Sequence, residues 1–296
     1  MKDPCSEQCA AVVELDGITM EYRRGRRQGV VRALEEVSLR IDAGETVGFI
    51  GNNGAGKSTT MRIILGLQQA SAGHARLNGR SVDDPEARRG VAYVPENPFL
   101  YDYLSPLELL LMGRRMHRRS EGETGGMAKD RCMFWLERFG IAHVADKRIR
   151  TFSKGMGQRT ALAHALSCEP DFLILDEPLS GLDPIGRQEV AAVLDEYRAS
   201  GKTLFFSSHV LNDVERLADR FVFIHKGKIQ AVCSTTDFLA TDSPRFMVMI
   251  EGRNGLEGFV QISSRMWQRE VAEDELAGVL KQVSDARKTY NVALYA

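Results

Sequence analysis

The chain has 296 residues, of which 43% are hydrophobic and 27% are charged, with 39 basic and 40 acidic side chains. These proportions are typical of globular proteins and exclude disordered and fibrous classes. The formal net charge of -1 argues against a general nucleic-acid binder, which usually carries a clear basic excess. No apolar run approaches the roughly 18 residues that span a bilayer. The five scattered cysteines favour free thiols in a reducing compartment.

Strand-like and helical segments alternate along most of the chain, which is the pattern of an α/β fold. Short apolar runs predict strands at residues 12–15, 37–41, 46–51, 91–94, 172–175, 203–207 and 221–224. Helical composition and end signals predict helices at residues 61–67, 104–112, 129–139, 157–167 and 184–200. The pair Asn78-Gly79 predicts a hairpin turn.

Two regions depart from this alternation. Residues 118–129 are polar and glycine-rich, which predicts a flexible surface loop. After Thr235 the composition shifts, and the polar residues 242–244 break the pattern, so we place a domain boundary near 234–244. The extension beyond it is predicted to hold a strand-like segment at 245–251 and a helical segment at 274–283.

A glycine-rich loop follows the predicted strand at 46–51. It reads Gly51-Asn52-Asn53-Gly54-Ala55-Gly56-Lys57-Ser58, which fits the phosphate-binding pattern G-x-x-x-x-G-K-[ST] between a strand and a helix. Such a loop turns successive backbone N–H groups toward one point, where the helix N-terminus adds partial positive charge. We expect Lys57 to reach the β- and γ-phosphates of a nucleotide and Ser58 to bind Mg²⁺. Thr59 completes the predicted phosphate-loop residues.

Two adjacent acids end the apolar run at 172–175. Asp176 stands where a Mg²⁺ nucleotide needs a carboxylate, at the end of a neighbouring strand. Glu177 follows it and can polarise an attacking water. Because both acids are present, the sequence favours hydrolysis over simple nucleotide storage.

A third segment lies between the phosphate loop and the acids and reads Phe152-Ser153-Lys154-Gly155-Met156-Gly157-Gln158-Arg159. Here the sequence resembles the ATP-binding subunits of ABC transporters, since this segment is similar to their L-S-G-G-Q signature. Its S-K-G-M form resembles that of ATPases paired with separate, mostly exporting, permeases. The later motifs follow in the family's order: Leu179-Ser180-Gly181-Leu182-Asp183 resembles the D-loop, and Ser207-Ser208-His209 resembles the strand end that carries the switch histidine.

This resemblance implies a fold and a domain plan. We expect a P-loop NTPase core with a mostly parallel sheet, an antiparallel β-subdomain near the N-terminus and a helical subdomain that carries the signature. The ATP-binding domain is then expected at residues 10–234, with the helical subdomain at about 97–168. Residues 235–296 are expected to form a small α+β extension.

The resemblance also implies a mechanism with ATP and Mg²⁺ as cofactors. Two chains, expected to be identical, form a head-to-tail dimer in which Ser153 and Gly155 of one chain contact the ATP held by the other, with Asp183 beside them. His209 contacts the γ-phosphate and positions water near Glu177. The resemblance further implies an integral-membrane permease on another chain as the partner, and hence a peripheral location at the cytoplasmic face of the cell membrane. No nucleic-acid partner is expected.

Three positions need separate interpretation. Tyr22 resembles the aromatic residue that stacks on adenine, although a packed surface tyrosine is the alternative. Glu96 stands where most relatives have glutamine; a carboxylate still offers an oxygen to Mg²⁺ or its water but loses the amide donor. Asn52 replaces a common proline, which matters little because the backbone binds the phosphates there.

Several alternatives stay open at this point. A soluble ABC-type ATPase acting on DNA, RNA or the ribosome is one, although the chain lacks the long insertions, zinc motifs or tandem domains usual there. A non-catalytic binding module is another. Taken alone, Ser153 is more often a plain helix N-cap, and His209 is more often a histidine satisfied at a strand end. The basic cluster Arg114, Arg115, His117, Arg118 and Arg119 is either a solvated face or an attraction toward anionic lipid headgroups near the permease.

Overall fold

The computed structural model describes residues 10–23, 30–117, 122–210, 217–234, 245–251, 256–263, 266–272, 278–279 and 291–295. The chain divides into two compact units, Met1–Thr235 and Thr236–Ala296. Within the part of the chain that the structure describes, every helix is too short or too polar to traverse a lipid bilayer.

An antiparallel sheet forms the N-terminal part of the first unit. Its strands, β1 (Ala11–Arg23), β2 (Val30–Asp42), β4 (Ala72–Leu77) and β5 (Arg80–Ser81), lie in the order β2-β1-β4-β5. Along β2, Val37, Leu39 and Ile41 are buried while the residues between them are exposed, as in a strand with one covered face. Both β1 and β2 extend beyond their predicted apolar stretches, because they pair with each other through more polar residues as well.

The second sheet has six strands in the order β10-β9-β3-β8-β7-β6. They are β3 (Thr46–Ile50), β6 (Val91–Val94), β7 (Phe172–Leu175), β8 (Thr203–Ser208), β9 (Arg220–His225) and β10 (Lys228–Ser234). The first five in chain order pair in parallel, and β10 lies antiparallel on β9. The predicted α/β fold with a mostly parallel sheet and an antiparallel β-subdomain is confirmed.

The carboxyl ends of the parallel strands meet at one edge of this sheet. Ile50 pairs with Ser208 in the β3–β8 ladder, and Leu175 pairs with Phe206 in the β7–β8 ladder. The segments that follow β3, β7 and β8 therefore leave the sheet side by side. The topology alone brings the phosphate loop, the acidic pair and the switch histidine together.

Three helices pack against one another beside this sheet: α2 (Pro106–Met116), α3 (Gly125–Arg138) and α4 (Lys154–Ser167). Two more belong to the sheet core, α1 (Lys57–Ile64) and α5 (Pro184–Ala199). Ser105 begins α2 with a capping box, since its hydroxyl accepts from the Glu108 N–H while the Glu108 carboxylate accepts from the Ser105 N–H.

The predicted loop at 118–129 is wrong in its second half. Thr124 caps α3, its hydroxyl accepting from the Met127 N–H, and the helix begins at Gly125. The prediction failed because the pair Gly125-Gly126 has low helix propensity. The Thr124 cap and the packing of α3 against α4 stabilise the helix by more than the two glycines destabilise it. Residues 118–121 lie outside the described residues.

The prediction of a solvent- or lipid-facing basic cluster is also wrong at Arg114. This side chain is buried, and its guanidinium forms two hydrogen bonds with the Glu123 carboxylate at 2.8 and 2.9 Å while donating to the Ser167 carbonyl. Burial alone would lower the pKa of Arg114, but the hydrogen bonds and charge of Glu123 raise it. Arg114 therefore ties α2 to the end of α4 and faces neither solvent nor lipid. Arg118 and Arg119 lie outside the described residues.

The cysteines that the structure describes are free thiols, as the sequence predicted. Cys132 and Cys168 are buried free thiols, and burial raises the pKa of Cys132 to about 11. Cys5 and Cys9 lie outside the described residues.

The second unit contains a four-stranded antiparallel sheet. Its strands are β11 (Arg245–Glu251), β12 (Val260–Gln261), β13 (Met266–Ala272) and β14 (Asn291–Tyr295), in the order β12-β13-β11-β14. The predicted strand at 245–251 coincides with β11. The predicted helix at 274–283 lies outside the described residues except for 278–279, which are helical.

We expect Arg114→Ala to lower the free energy of unfolding by about 3 kcal/mol, because it leaves the buried Glu123 carboxylate without its main partner. Urea unfolding followed by circular dichroism measures the change. Arg80→Ala is the control, since Arg80 pairs with Asp84 at the surface with 58% of its side chain exposed, and such pairs contribute under about 1 kcal/mol. Equal losses in the two variants would contradict the structural role of Arg114.

Candidate active site

The segment between β3 and α1 forms a cradle that only glycine can build. A Cβ atom on Gly51 would lie 2.4 Å from the Ile224 carbonyl oxygen. Gly56 has φ +112°, and a Cβ atom there would lie 2.6 Å from Leu34. Gly56 is also the N-cap of α1, where no side chain accepts from the first N–H groups. The loop thus presents backbone donors and a helix N-terminus to an anion.

Lys57 places a cation inside this cradle. Its side chain is only 6% exposed, and its Nζ donates to the Gly51 carbonyl at 2.5 Å. The same Nζ lies 3.0 Å from Glu177 Oε1, whose side chain is 8% exposed. Two buried opposite charges at this distance hold each other in a defined position.

The acidic pair follows β7 directly. Asp176 and Glu177 are both buried, and Asp176 Oδ1 accepts a hydrogen bond from the Ser207 hydroxyl at 2.7 Å. Glu177 Oε2 lies 2.8 Å from His209 Nδ1 at the end of β8. The Glu177 carboxylate therefore stands between the lysine of the cradle and the histidine. Burial and the Asp176 charge raise the pKa of the neighbouring Tyr93, so its phenol stays neutral.

Lys57, Asp176 and Glu177 line a cleft of about 420 Å³, a size typical of nucleotide and other small-molecule sites. Its predicted lining residues are Tyr22, Asn52, Asn53, Gly54, Ala55, Gly56, Lys57, Ser58, Thr59, Glu96, Asp176 and Glu177. His209 borders a neighbouring small pocket that Glu177 also lines. Tyr22 is 39% exposed at one end of the cleft, and its hydroxyl accepts from Gln68 Nε2 at 2.6 Å. The hydroxyl of Tyr22 is thus held by a hydrogen bond, while much of the ring stays accessible to solvent.

Comparison with known proteins decides the family. A family model described as ABC transporter matches residues 34–180. An uncharacterized ABC transporter ATP-binding protein of Synechocystis is 33% identical over 288 residues, which cover 96% of this chain and 80% of that protein. The chain belongs to the ABC transporter ATP-binding proteins. Members of this family bind ATP with Mg²⁺ and hydrolyse it.

Other relatives differ in what they are named for. The molybdenum import ATP-binding protein ModC of Mycobacterium tuberculosis is 34% identical over 76% of this chain and 63% of its own length. The lantibiotic transport ATP-binding protein SrtF of Streptococcus pyogenes is 36% identical over 66% of this chain and 82% of its own length.

Solved structures give the same family. An ATP-binding subunit of an ABC transporter superposes with a TM-score of 0.66 at 33% identity, covering 76% of this chain and 91% of that one. A dimeric bacterial ABC transporter cassette superposes with a TM-score of 0.69 at 25% identity, covering 75% and 98%. ABC ATP-binding subunits form dimers and work with membrane permeases.

The residues of this ABC subunit fit Mg-ATP. The loop can make the close turns of this cradle only with glycine, since a Cβ atom would meet the Ile224 carbonyl at Gly51 and the Leu34 side chain at Gly56. Ser207 uses one acceptor site of the Asp176 carboxylate, and a carboxylate offers about four. Ser58, Asp176 and Glu96 all border the same cleft and supply the oxygen ligands that Mg²⁺ prefers.

The signature and D-loop residues lie apart from this cleft. Ser153 is the N-cap of α4, its hydroxyl accepting from the Met156 N–H at 3.3 Å. Asp183 caps α5 in the same way, accepting from the Gly186 N–H at 2.9 Å. Gly155 lies against Gly181 of the D-loop, where a Cβ atom would come within 3.4 Å of the Gly181 carbonyl. The helix starts of the signature and the D-loop are therefore neighbours.

Two side chains that the sequence did not single out join the signature to the D-loop region. Gln158 is buried and its Nε2 donates to the Pro178 carbonyl at 3.3 Å. Arg159 pairs with Glu189 of α5 at 2.7 Å and donates to the Phe139 carbonyl. Their position directly after the signature glycines was the available signal. They link the start of α4 to the segment that follows the acidic pair.

Proposed function

We propose that this ABC subunit powers export through a permease on a separate chain, from a peripheral position at the cytoplasmic face of the membrane. The observation that carries its energetic role is the contact of Glu177 with both Lys57 and His209 at the edge of the cleft. The S-K-G-M form of the signature, similar to that of mostly exporting systems, supports the direction. Among the relatives, SrtF is named for lantibiotic transport and ModC for molybdenum import, so the proposed direction rests on the signature.

We assign the phosphate and metal contacts to the cleft residues. The backbone of Asn52, Asn53, Gly54, Ala55 and Gly56 in the cleft, and of Gly51 at the start of the loop, holds the phosphates together with Ser58 and Thr59, and Lys57 supplies the charge-assisted contact. Tyr22 stacks on the adenine. Ser58, Asp176 and Glu96 would hold Mg²⁺ directly or through water, and a bound metal would supply positive charge against the phosphate oxygens.

Glu177 acts as the general base in this proposal. Its carboxylate accepts a proton from the water that attacks the γ-phosphate. His209, held at 2.8 Å from the Glu177 carboxylate, contacts the γ-phosphate and keeps that water in line. Lys57 leaves the carboxylate for the phosphates when the cleft fills, because phosphate oxygens offer it the stronger ionic partner.

The dimer supplies the remaining contacts. In a head-to-tail pair of this chain, Ser153 and Gly155 face the γ-phosphate held by the phosphate loop of the second copy. The N-terminus of α4 favours an anion there. Asp183 and the D-loop lie beside this contact through the approach of Gly155 to Gly181. ATP binding then closes the dimer, and hydrolysis releases it.

The permease docks on an apolar groove of the helical subdomain. A cleft of about 380 Å³ is lined by Leu109, Met112 and Met116 of α2 and by Phe99 and Tyr101, which precede that helix. Phe99 is fully exposed and Met116 is 78% exposed. Glu96 lines the nucleotide cleft and Phe99 lines the groove. The short segment between them would therefore transmit a displacement at the bound nucleotide to the permease contact.

We expect Glu177→Gln to keep ATP binding and to lower hydrolysis by roughly 10²-fold or more, as when a positioned general base is lost. Glutamine keeps the shape but removes the basic oxygen. ATPase assays and nucleotide binding measure the two effects, and size exclusion with Mg-ATP should show the accumulated dimer. Glu86→Gln is the control, because Glu86 forms a surface pair with Arg89. Near-normal turnover in Glu177→Gln would assign the base to another residue.

A second prediction tests the composite site. Ser153→Arg should abolish hydrolysis while ATP still binds the single chain, because the bulky cation blocks closure rather than entry. Lys57→Ala should lose ATP binding. In a mixed dimer of the two variants both defects fall in one site and the other site is wild type. Partial recovery on mixing shows that one intact site suffices, and no recovery shows that closure needs both. Full activity of Ser153→Arg alone would refute the proposal that Ser153 contacts the ATP held by the second copy.

A further inference from the structure

Ser207 is a buried hydroxyl that touches both acids. It is the penultimate residue of β8, it has no exposed surface, and β8 lies between β3 and β7. Its Oγ accepts a hydrogen bond from the Glu177 N–H at 2.8 Å and donates one to Asp176 Oδ1 at 2.7 Å. One hydroxyl therefore connects the metal-binding acid to the backbone of the base.

The backbone of Glu177 needs such support. Its φ is +51°, in the left-handed region, which costs a non-glycine residue roughly 1 kcal/mol or more. The Glu177 carbonyl accepts from the Ser180 N–H at 3.0 Å, and the Asp176 N–H donates to the Val94 carbonyl at 2.9 Å. Ser207 completes this set by holding the Glu177 N–H. With the backbone fixed in this way, the carboxylate reaches both Lys57 and His209.

We propose that Ser207 is a positioning residue for ATP hydrolysis, because its hydroxyl sets the backbone of Glu177 relative to the Asp176 carboxylate. This inference rests on the proposed role of Glu177 as the base. Without the hydroxyl, the buried Glu177 N–H loses its acceptor and Asp176 loses a donor, so the peptide between them rotates or shifts to find new partners. A displacement of about 1 Å in a catalytic group can lower the rate by about 10²-fold.

The first test separates kcat from KM. Ser207→Ala should lower kcat by about 10- to 100-fold while the KM for ATP changes by less than about twofold, because the phosphate loop is untouched. Ser207→Cys keeps the branching of the side chain, although sulfur is larger than oxygen, and its thiol forms only weak hydrogen bonds, so it should show the same selective loss. Equilibrium binding of a non-hydrolysable ATP analogue confirms that each variant is folded.

Thr203→Val is the matched control. Thr203 begins the same strand, is buried, and accepts from the Gly44 N–H at 2.9 Å. Valine removes the hydroxyl and keeps the shape, so this variant loses an equivalent hydrogen bond far from the acids. Its kcat should stay within about twofold of wild type. An equal fall of kcat in Thr203→Val and Ser207→Ala would overturn the proposal, since any buried hydroxyl of β8 would then matter.

A double-mutant comparison tests whether Ser207 acts through Glu177. At saturating Mg²⁺, single-turnover hydrolysis is measured for Ser207→Ala, Glu177→Gln and the double variant. If Ser207 acts by placing the carboxylate, its replacement should change the residual rate of Glu177→Gln by less than about twofold. The same 10- to 100-fold loss in both backgrounds would overturn the positioning role. Normal activity of Glu177→Gln itself would instead refute the base assignment, which keeps the two failures distinct.

Discussion

The contact of the Glu177 carboxylate with Lys57 on one side and His209 on the other is the interaction on which this site depends. The Lys57 and Glu177 side chains are nearly inaccessible to water, so neither charge is tolerated without an opposite charge nearby. The pair fixes the end of the phosphate loop against the end of β7. In the proposed mechanism, nucleotide phosphates compete with Glu177 for Lys57.

The parallel sheet makes this contact possible. β3, β8 and β7 are adjacent, and their register places the residues after each strand at the same level. Gly51 permits the loop to leave β3 in close contact with β9, because any side chain there would collide with the Ile224 carbonyl. Ser207 bridges the two acids from within β8. The site is therefore built by strand order and by a few close approaches, and the loops that carry it have little freedom to move apart.

Much of this site could be predicted from the sequence because its motifs have strict local spacing. The phosphate loop, the acidic pair and the strand ends that carry them were all predicted, as was the α/β fold. The burial of Arg114 was not predicted, because it depends on Ser167, which lies 53 residues further along the chain, and on Glu123 in a segment whose path the sequence does not reveal. Likewise, nothing local distinguishes Ser207 from Ser208, and only the pairing of β8 with β7 shows which hydroxyl reaches the acids. Long-range contacts decide what a polar residue does, and a single sequence does not display them.

The cleft beside Lys57 is the proposed ATP site of this ABC subunit. The most direct measurement is calorimetric titration of the full chain with a non-hydrolysable Mg-ATP analogue, comparing wild type with Lys57→Ala and with Lys202→Ala, whose lysine pairs with Asp171 at the surface. The account predicts at least a tenfold loss of affinity in Lys57→Ala, as expected for a lost charge-assisted phosphate contact, and no loss in Lys202→Ala. Unchanged affinity in a folded Lys57→Ala protein would contradict it.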